Sequence, residues 1–137
     1  EVELLVPIEA ESAIDAKQIE VTTISDYNDN EWLDFKLKRS REWLIGADKG
    51  KVSIQVLLLK KSGTQELVYL LRHDWPLNLD ETYLYEVNSD SRVFYRVFYR
   101  ELDNVAQGRR EIQNLPESIS VNSPYVHSVY RMQKVYL

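Results

Sequence analysis

The sequence predicts an α+β domain in which one four-stranded antiparallel sheet carries two helices on one face. Four segments are rich in the β-branched and aromatic residues that strands favour, namely 52–59, 82–87, 92–100 and 125–136. Between the first two segments, Leu67, Leu70 and Leu71 recur at the spacing of one helix face. A polar turn at 88–91 joins the second and third segments and predicts a hairpin.

A second helix is predicted between the third and fourth strands. Asp103 or Asn104 is suited to cap its N terminus, and Pro116 closes it. The order of elements is therefore β-α-β-β-α-β. Its natural solution is one antiparallel sheet with both helices on one face and the other face open.

The region before the sheet divides into two parts. Residues 1–30 are acidic and weakly patterned, which predicts a linker or extension. Residues 31–46 predict an amphipathic helix that starts after the N-cap Asn30, ends at Gly46 and packs its two tryptophans on the following domain. Residues 51–137 form the predicted sheet domain.

Composition excludes several classes of function. The 137 residues are 44% hydrophobic and carry a net charge of −5, which supports a core and argues against general nucleic-acid binding. No cysteine is present, and no apolar run approaches the roughly 20 residues of a membrane helix. Because the chain begins at Glu1 instead of methionine, we expect that any membrane attachment comes from a missing upstream anchor.

Residues suited to catalysis or to cofactor binding are scarce. His73 and His127 lie far apart and lack the neighbours of a metal site, and the four glycines form no phosphate-binding loop. The sequence therefore predicts a protein without enzymatic activity, bound metal or cofactor.

The outer face of the predicted sheet is the most informative surface. Alternation in the third strand separates a set with two arginines from the arginine-free set Val93, Tyr95, Val97 and Tyr99. The arginine-free set is the better core, because a buried unpaired arginine is costly. The other set and two polar residues of the first strand become the predicted ligand-binding residues: Ser53, Gln55, Phe94, Arg96, Phe98 and Arg100.

Such a face suits a flat, extended polymer. Aromatic rings stack on sugars or bases, while Arg and Gln provide directional hydrogen bonds. The alternative is that the face is covered by the 31–46 helix or by another subunit, since exposed Phe94 and Phe98 would form a sizeable apolar patch.

The region 51–137 resembles a SPOR domain, the sheet module that binds bacterial cell-wall glycan. The opening strand with its glutamine, the aromatic-Tyr-Arg-Val strand and the tail carry this likeness. The corresponding motifs here are Val52-Ser53-Ile54-Gln55-Val56, Phe94-Tyr95-Arg96-Val97, Leu115-Pro116, Asn122-Ser123-Pro124-Tyr125-Val126 and Arg131-Met132-Gln133. Arg41-Glu42-Trp43-Leu44 is similar to the tryptophan-bearing helix that precedes some members.

The resemblance implies an RNP-like or ferredoxin-like fold and a role at the division septum, where glycan strands are stripped of stem peptides. It implies a periplasmic setting in the bacterial cell envelope, within a membrane-anchored or larger protein. Gln55, Phe94 and Arg96 are the ligand-facing positions that it indicates.

Two other functions stay open at this stage. Leu57 and Leu58 stand where many SPOR domains have a small residue, and Arg100-Glu101-Leu102 stands where many have Gly-Pro-Phe. These replacements favour a protein-interaction domain in an envelope machine such as a pilus, secretion or division complex. RNA binding on an RRM-like sheet is disfavoured by the negative charge and by the lack of an RNP-type strand.

Overall fold

The computed structural model describes residues 26–137, so most of the predicted acidic linker, residues 1–25, lies outside the described residues. Five helices and four strands follow one another along the chain: α1 (Asp29–Gly46), β1 (Val52–Lys60), α2 (Thr64–Tyr69), β2 (Thr82–Ser89), β3 (Arg92–Leu102), α3 (Val105–Gln113), α4 (Glu117–Ser120), β4 (Tyr125–Ser128) and α5 (Val129–Tyr136). Within residues 26–137, no helix is both long and apolar enough to cross a membrane.

The four strands form the predicted single antiparallel sheet, in the order β2-β3-β1-β4. The α+β prediction is therefore confirmed, with the N-terminal helix first. Asp90 and Ser91 make the tight turn of the predicted β2–β3 hairpin, and both have positive φ angles of 50° and 66°. Two consecutive left-handed residues give a turn whose twist matches that of the strands.

The inner face, defined as the sheet face that packs on α2 and α3, carries the larger core. Leu67 and Leu71 from the α2 region meet the strand residues Ile54 and Val97 there, and all four are at most 1% exposed. The arginine-free set of β3 contributes Tyr95, Val97 and Tyr99 to this core, as the alternation predicts.

Helix α1 runs along the edge of β2 and contacts both layers of the molecule. It begins two residues earlier than predicted, because Asn28 and Glu31 form a reciprocal capping box. Trp32 in its first half belongs to the inner core, whereas Trp43 in its second half packs with the cluster on the opposite sheet face. Both tryptophans pack on the domain, as expected from the sequence.

Ser40 joins α1 to the edge of β2. Its buried hydroxyl accepts a hydrogen bond from the Leu84 backbone N–H at 2.8 Å and donates to the Lys36 carbonyl at 2.7 Å. The Tyr85 hydroxyl donates to the Ser40 carbonyl at 2.9 Å. A backbone donor on an edge strand is thus satisfied by a helix side chain instead of water.

The predicted last strand, 125–136, is wrong beyond Ser128. Only Tyr125–Ser128 is strand, and α5 follows at once. Strand β4 ends because its partner β1 begins at Val52, opposite Ser128, so later residues have no strand to pair with. The Ser128 side chain then caps α5 by accepting the Arg131 N–H.

Replacing Ser40 with alanine tests the join between α1 and β2. We expect Ser40→Ala to lower the free energy of unfolding by about 1–3 kcal/mol, because the buried Leu84 N–H loses its acceptor. Urea denaturation measures the change. The matched control Ser118→Ala alters an exposed serine of α4 and should stay within about 0.5 kcal/mol of the parent. Equal stability of the two variants would contradict the assignment.

Candidate functional site

The outer face, defined as the sheet face opposite α2 and α3, is ordered by the strand register. One row of neighbours across the sheet is Tyr83, Phe98, Gln55 and Tyr125. The next row contains Tyr85, Arg96 and Leu58. Residues directly opposite each other in a sheet share a face. The predicted ligand-binding residues Gln55, Phe98 and Arg96 therefore have neighbours on this face that were not predicted to bind a ligand.

Much of this face is covered, which corrects the prediction of an open sheet. The second half of α1 and one side of α5 pack over it, and Phe98 at its centre is completely buried. The covering cluster combines residues of both helices with the strand aromatics: Leu44, Tyr85, Phe98, Val129 and Met132. Phe98 is therefore a core residue and is not available to a ligand.

Tyr136 holds α5 against the sheet. Its ring stacks on Tyr85 with centroids 4.7 Å apart and planes 9° from parallel. Its hydroxyl accepts a hydrogen bond from Arg96 Nη1 at 3.2 Å. Burial raises the pKa of Tyr136, and the bond from Arg96 opposes that rise. Gln133 adds a second attachment, because its side-chain amide donates to the Leu44 and Ala47 carbonyls at 3.0 and 2.9 Å.

The uncovered part of the outer face is a strip that we call the open strip. It is formed by Gln55, Leu58, Lys60, Phe94, Arg96 and Tyr125. Leu58 and Tyr125 are 49% and 44% exposed, and the aromatic ring of Phe94 is partly exposed. Three of the predicted ligand-binding residues, Gln55, Phe94 and Arg96, thus lie on an accessible surface of the predicted face.

Two polar groups of the open strip retain hydrogen-bonding capacity. The Tyr125 hydroxyl donates to Gln55 Oε1 at 3.1 Å, and the Gln55 amide nitrogen makes no hydrogen bond within residues 26–137. Arg96 uses Nη1 for Tyr136, and its Nη2 makes no hydrogen bond with a described residue; its Nε also has no partner, but it is buried and closed to a ligand. The Gln55 amide and the Arg96 guanidinium therefore lie on the same sheet face as the rings of Tyr125 and Phe94.

Ser53 does not belong to the open strip. It is fully buried, and its hydroxyl donates to the Tyr99 carbonyl at 3.2 Å. Its burial contradicts the prediction that it is accessible to a ligand. The Tyr99 carbonyl comes within reach of its hydroxyl because β3 bulges opposite Ser53. Between Val52 and Ile54, one residue of β1 opposes two residues of β3.

Arg100 is also misplaced by simple alternation. It lies in this bulge with a positive φ of 63°, and its guanidinium bonds Glu111 of α3 at 3.1 Å and lies 3.7 Å from Glu81. Glu101 instead accepts the indole N–H of Trp43 at 3.0 Å. Because the bulge changes the alternation, Arg100 pairs with acids of the helix layer and is not part of the outer face.

His127 adjoins the open strip beneath α5. Its ring meets Phe98 edge-on at 5.6 Å and lies 5.9 Å from the Tyr125 ring. Burial lowers the pKa of His127, the contact with the Ser128 carbonyl opposes that shift, and the charges of Arg96 and Arg131 lower the pKa further. The neutral imidazole is thus the form that this packing favours.

Leu58, Lys60 and Tyr125 of the open strip, and Tyr136 beside it, were not predicted as site residues. Tyr125 and Leu58 continue the strand alternation, but neither carries the charge that identified the arginine set. Tyr136 could have been found from the spacing of Val129, Met132 and Tyr136, which follows one face of a helix.

Among residues 26–137, no group of three or more His, Cys, Asp or Glu side chains is placed to hold a metal ion. In comparisons with known proteins, no family model matches this chain and no curated protein matches it at a significant level.

The lowered pKa of His127 predicts a pH dependence of stability. The unfolded chain binds a proton near pH 6.5 while the folded chain resists it, so stability is present above that pH and is lost as the pH falls. Between pH 7 and 5.5, we expect the unfolding midpoint of the parent to fall more steeply than that of His127→Gln. The matched control His73→Gln alters an exposed histidine and should retain the parental slope. A parental slope in His127→Gln would refute this prediction.

Proposed function

We propose that this chain is a non-catalytic binding module whose ligand contacts the open strip. The observation that carries the proposal is the juxtaposition of Gln55, Tyr125 and Arg96 on adjacent strands, where the Gln55 amide nitrogen and Arg96 Nη2 make no hydrogen bond within residues 26–137. Side chains on a hydrogen-bonded sheet are held in place before a ligand arrives, which favours binding.

The ligand that we propose is a peptidoglycan glycan strand in the bacterial envelope. Sugar rings pack against aromatic faces, so Tyr125 and Phe94 are suited to the pyranose rings. The Gln55 amide can donate to carbonyl or hydroxyl oxygens, and the Arg96 guanidinium can pair with the lactyl carboxylates of muramic acid. The resemblance of 51–137 to SPOR domains supports the same ligand and a periplasmic location.

The cover over Phe98 affects how such a ligand would lie. Because Phe98 and Ser53 are buried, the ligand would contact β4 and the N-terminal half of β3, away from α5. A glycan strand would therefore occupy a narrow path along Gln55, Arg96 and Phe94. A row of side chains along a sheet suits an extended polymer, whereas small molecules bind mainly in concave pockets.

Leu58 favours a second candidate function. This leucine is 49% exposed and lies directly opposite Arg96 in the sheet. Arg and aromatic side chains are enriched at protein interfaces, and the open strip combines this exposed leucine with Arg96, Phe94 and Tyr125. The second candidate is therefore an assembly domain that binds another envelope protein through the same strip.

A pull-down with purified sacculi tests glycan binding. We expect retention to be stronger on amidase-treated sacculi, which lack stem peptides, than on intact ones. Tyr125→Ala and Arg96→Ala should each weaken retention about tenfold, which corresponds to ~1.4 kcal/mol of lost contact. Tyr69→Ala on α2 and Arg92→Ala at the start of β3 are matched controls, because they remove exposed residues of the same types outside the strip.

Circular dichroism and thermal unfolding establish that each variant remains folded. Retention of both strip variants at the parental level would eliminate the glycan assignment. Should neither sacculus preparation retain the parent, the assembly function becomes the better one. In that case Leu58→Ser should abolish capture of the envelope partner.

A further inference from the structure

A groove runs between α3 and β4, on the inner side of the sheet and apart from the open strip. Its volume is about 500 Å³. Val105 and Ile112 of α3 line one side, while β4 and the preceding Pro124 line the other. Val105 is 43% exposed, so this apolar wall faces solvent within the described residues. The groove can therefore accept apolar side chains from a second molecule.

The position of α3 beside β4 is fixed by a close contact. Gly108 is buried against Val126, and a Cβ atom on Gly108 would lie 2.7 Å from Val126 Cγ2. Only glycine permits the helix to approach the strand this closely. The groove is therefore formed before anything binds to it.

The free edge of β4 lies along the same groove. The Val129 N–H donates to the Lys51 carbonyl at 3.0 Å, so alternate residues back along β4, beginning with His127, bond to β1. Val126 and Ser128 consequently direct their backbone groups away from β1. No strand of residues 26–137 pairs with that edge, which makes it a template for one more strand.

A cation lies between the two apolar residues of the helix wall. Arg109 lines the groove together with Val105, four positions before it, and Ile112, three positions after it. Its side chain is exposed and makes no ion pair with a residue of 26–137. The wall thus presents an apolar, a positively charged and an apolar group in succession, and an acidic side chain between two apolar ones would complement it.

The spacing of these three side chains is close to that of a strand. Helix residues three or four positions apart lie about 5–6 Å from each other on one face. Strand residues two positions apart also share a face, at a separation of roughly 7 Å. A strand along the edge of β4 can therefore place three alternate side chains against Val105, Arg109 and Ile112, all on the side that faces α3.

We propose that the β4 edge and this groove bind an extended segment of another protein, which adds to the sheet as a fifth strand. The segment has the pattern apolar-x-acidic-x-apolar, and its acidic side chain pairs with Arg109. A second copy of this chain is a poorer occupant of the edge, because its own strand Tyr125–Ser128 contains no acidic residue.

Titration of the full chain with a synthetic heptapeptide, followed by NMR, tests the proposal. The peptide has valine at its second and sixth positions, glutamate at its fourth and threonine elsewhere, and both termini are blocked. We expect saturable shifts of the Val126 and Ser128 amide signals at millimolar peptide. Lysine in place of the glutamate should weaken binding at least about tenfold, because like charges then meet in the groove.

Exchange of the charges separates a contact with Arg109 from an effect of net charge. Arg109→Glu should reverse the preference, so that the lysine peptide binds about tenfold more tightly than the glutamate peptide. Arg110→Glu is the matched control, because it makes the same change on the next exposed residue of α3, which does not line the groove. It should keep the parental preference.

Methylation of peptide nitrogens tests the backbone pairing. Alternate N–H groups of a strand point to opposite edges, so methyl groups on the set that faces β4 should abolish binding, and methyl groups on the other set should not. Equal binding of the two methylated peptides, unshifted Val126 and Ser128 signals, or an unchanged preference in Arg109→Glu would each overturn the proposal. Shifts of these two signals on dilution of the parent alone would overturn it too, because the occupant would then be a second copy.

Discussion

Phe98 lies at the centre of the outer face, where α1 and α5 close over it and leave no part of its ring in contact with water. Complete burial of a phenylalanine contributes about 1.5–3 kcal/mol, and here it also binds both covering helices to the sheet. Met132 and Tyr136 cannot reach this position unless α5 turns back immediately after β4. The accessible part of the outer face is therefore the part that α1 and α5 leave uncovered when they pack on Phe98.

The order of elements and the inner core follow directly from the sequence. Tyr95 and Val97 are separated from the arginine set because successive side chains of β3 point to opposite sheet faces up to Tyr99. Beyond that residue the alternation fails, since Arg100 adopts a positive φ angle without the glycine that would have indicated it. Local pattern predicts a strand well and predicts a bulge poorly, because the bulge depends on how two strands fit together.

The site was less predictable than the fold. Gln55, Phe94 and Arg96 lie on the face that the sequence indicates and are partly accessible, whereas burial of Ser53 and Phe98 depends on contacts between distant parts of the chain. Residues 125–136 illustrate the difficulty, because strand alternation changes to helical spacing at Ser128 with no proline or glycine at the boundary. The change takes place opposite Val52, where β1 begins, and the sequence of 125–136 carries no information about where its partner strand starts.

Arg96 connects the cover with the open strip, since one nitrogen of its guanidinium bonds Tyr136 while the side chain remains partly accessible. A side chain that is held at one nitrogen loses less freedom when a ligand engages another, and this lowers the entropic cost of binding. Tyr136 therefore positions Arg96 as well as covering Phe98.

The asymmetry of the two sheet edges affects how copies of this domain can associate. Helix α1 occupies the β2 edge through Ser40, so within residues 26–137 sheet extension is directed to β4 alone. A domain with one extendable edge can join a second copy across a two-fold axis, and the joined edges are then consumed. Edge-to-edge growth stops at a pair, whereas a sheet open on both sides could continue into a fibre.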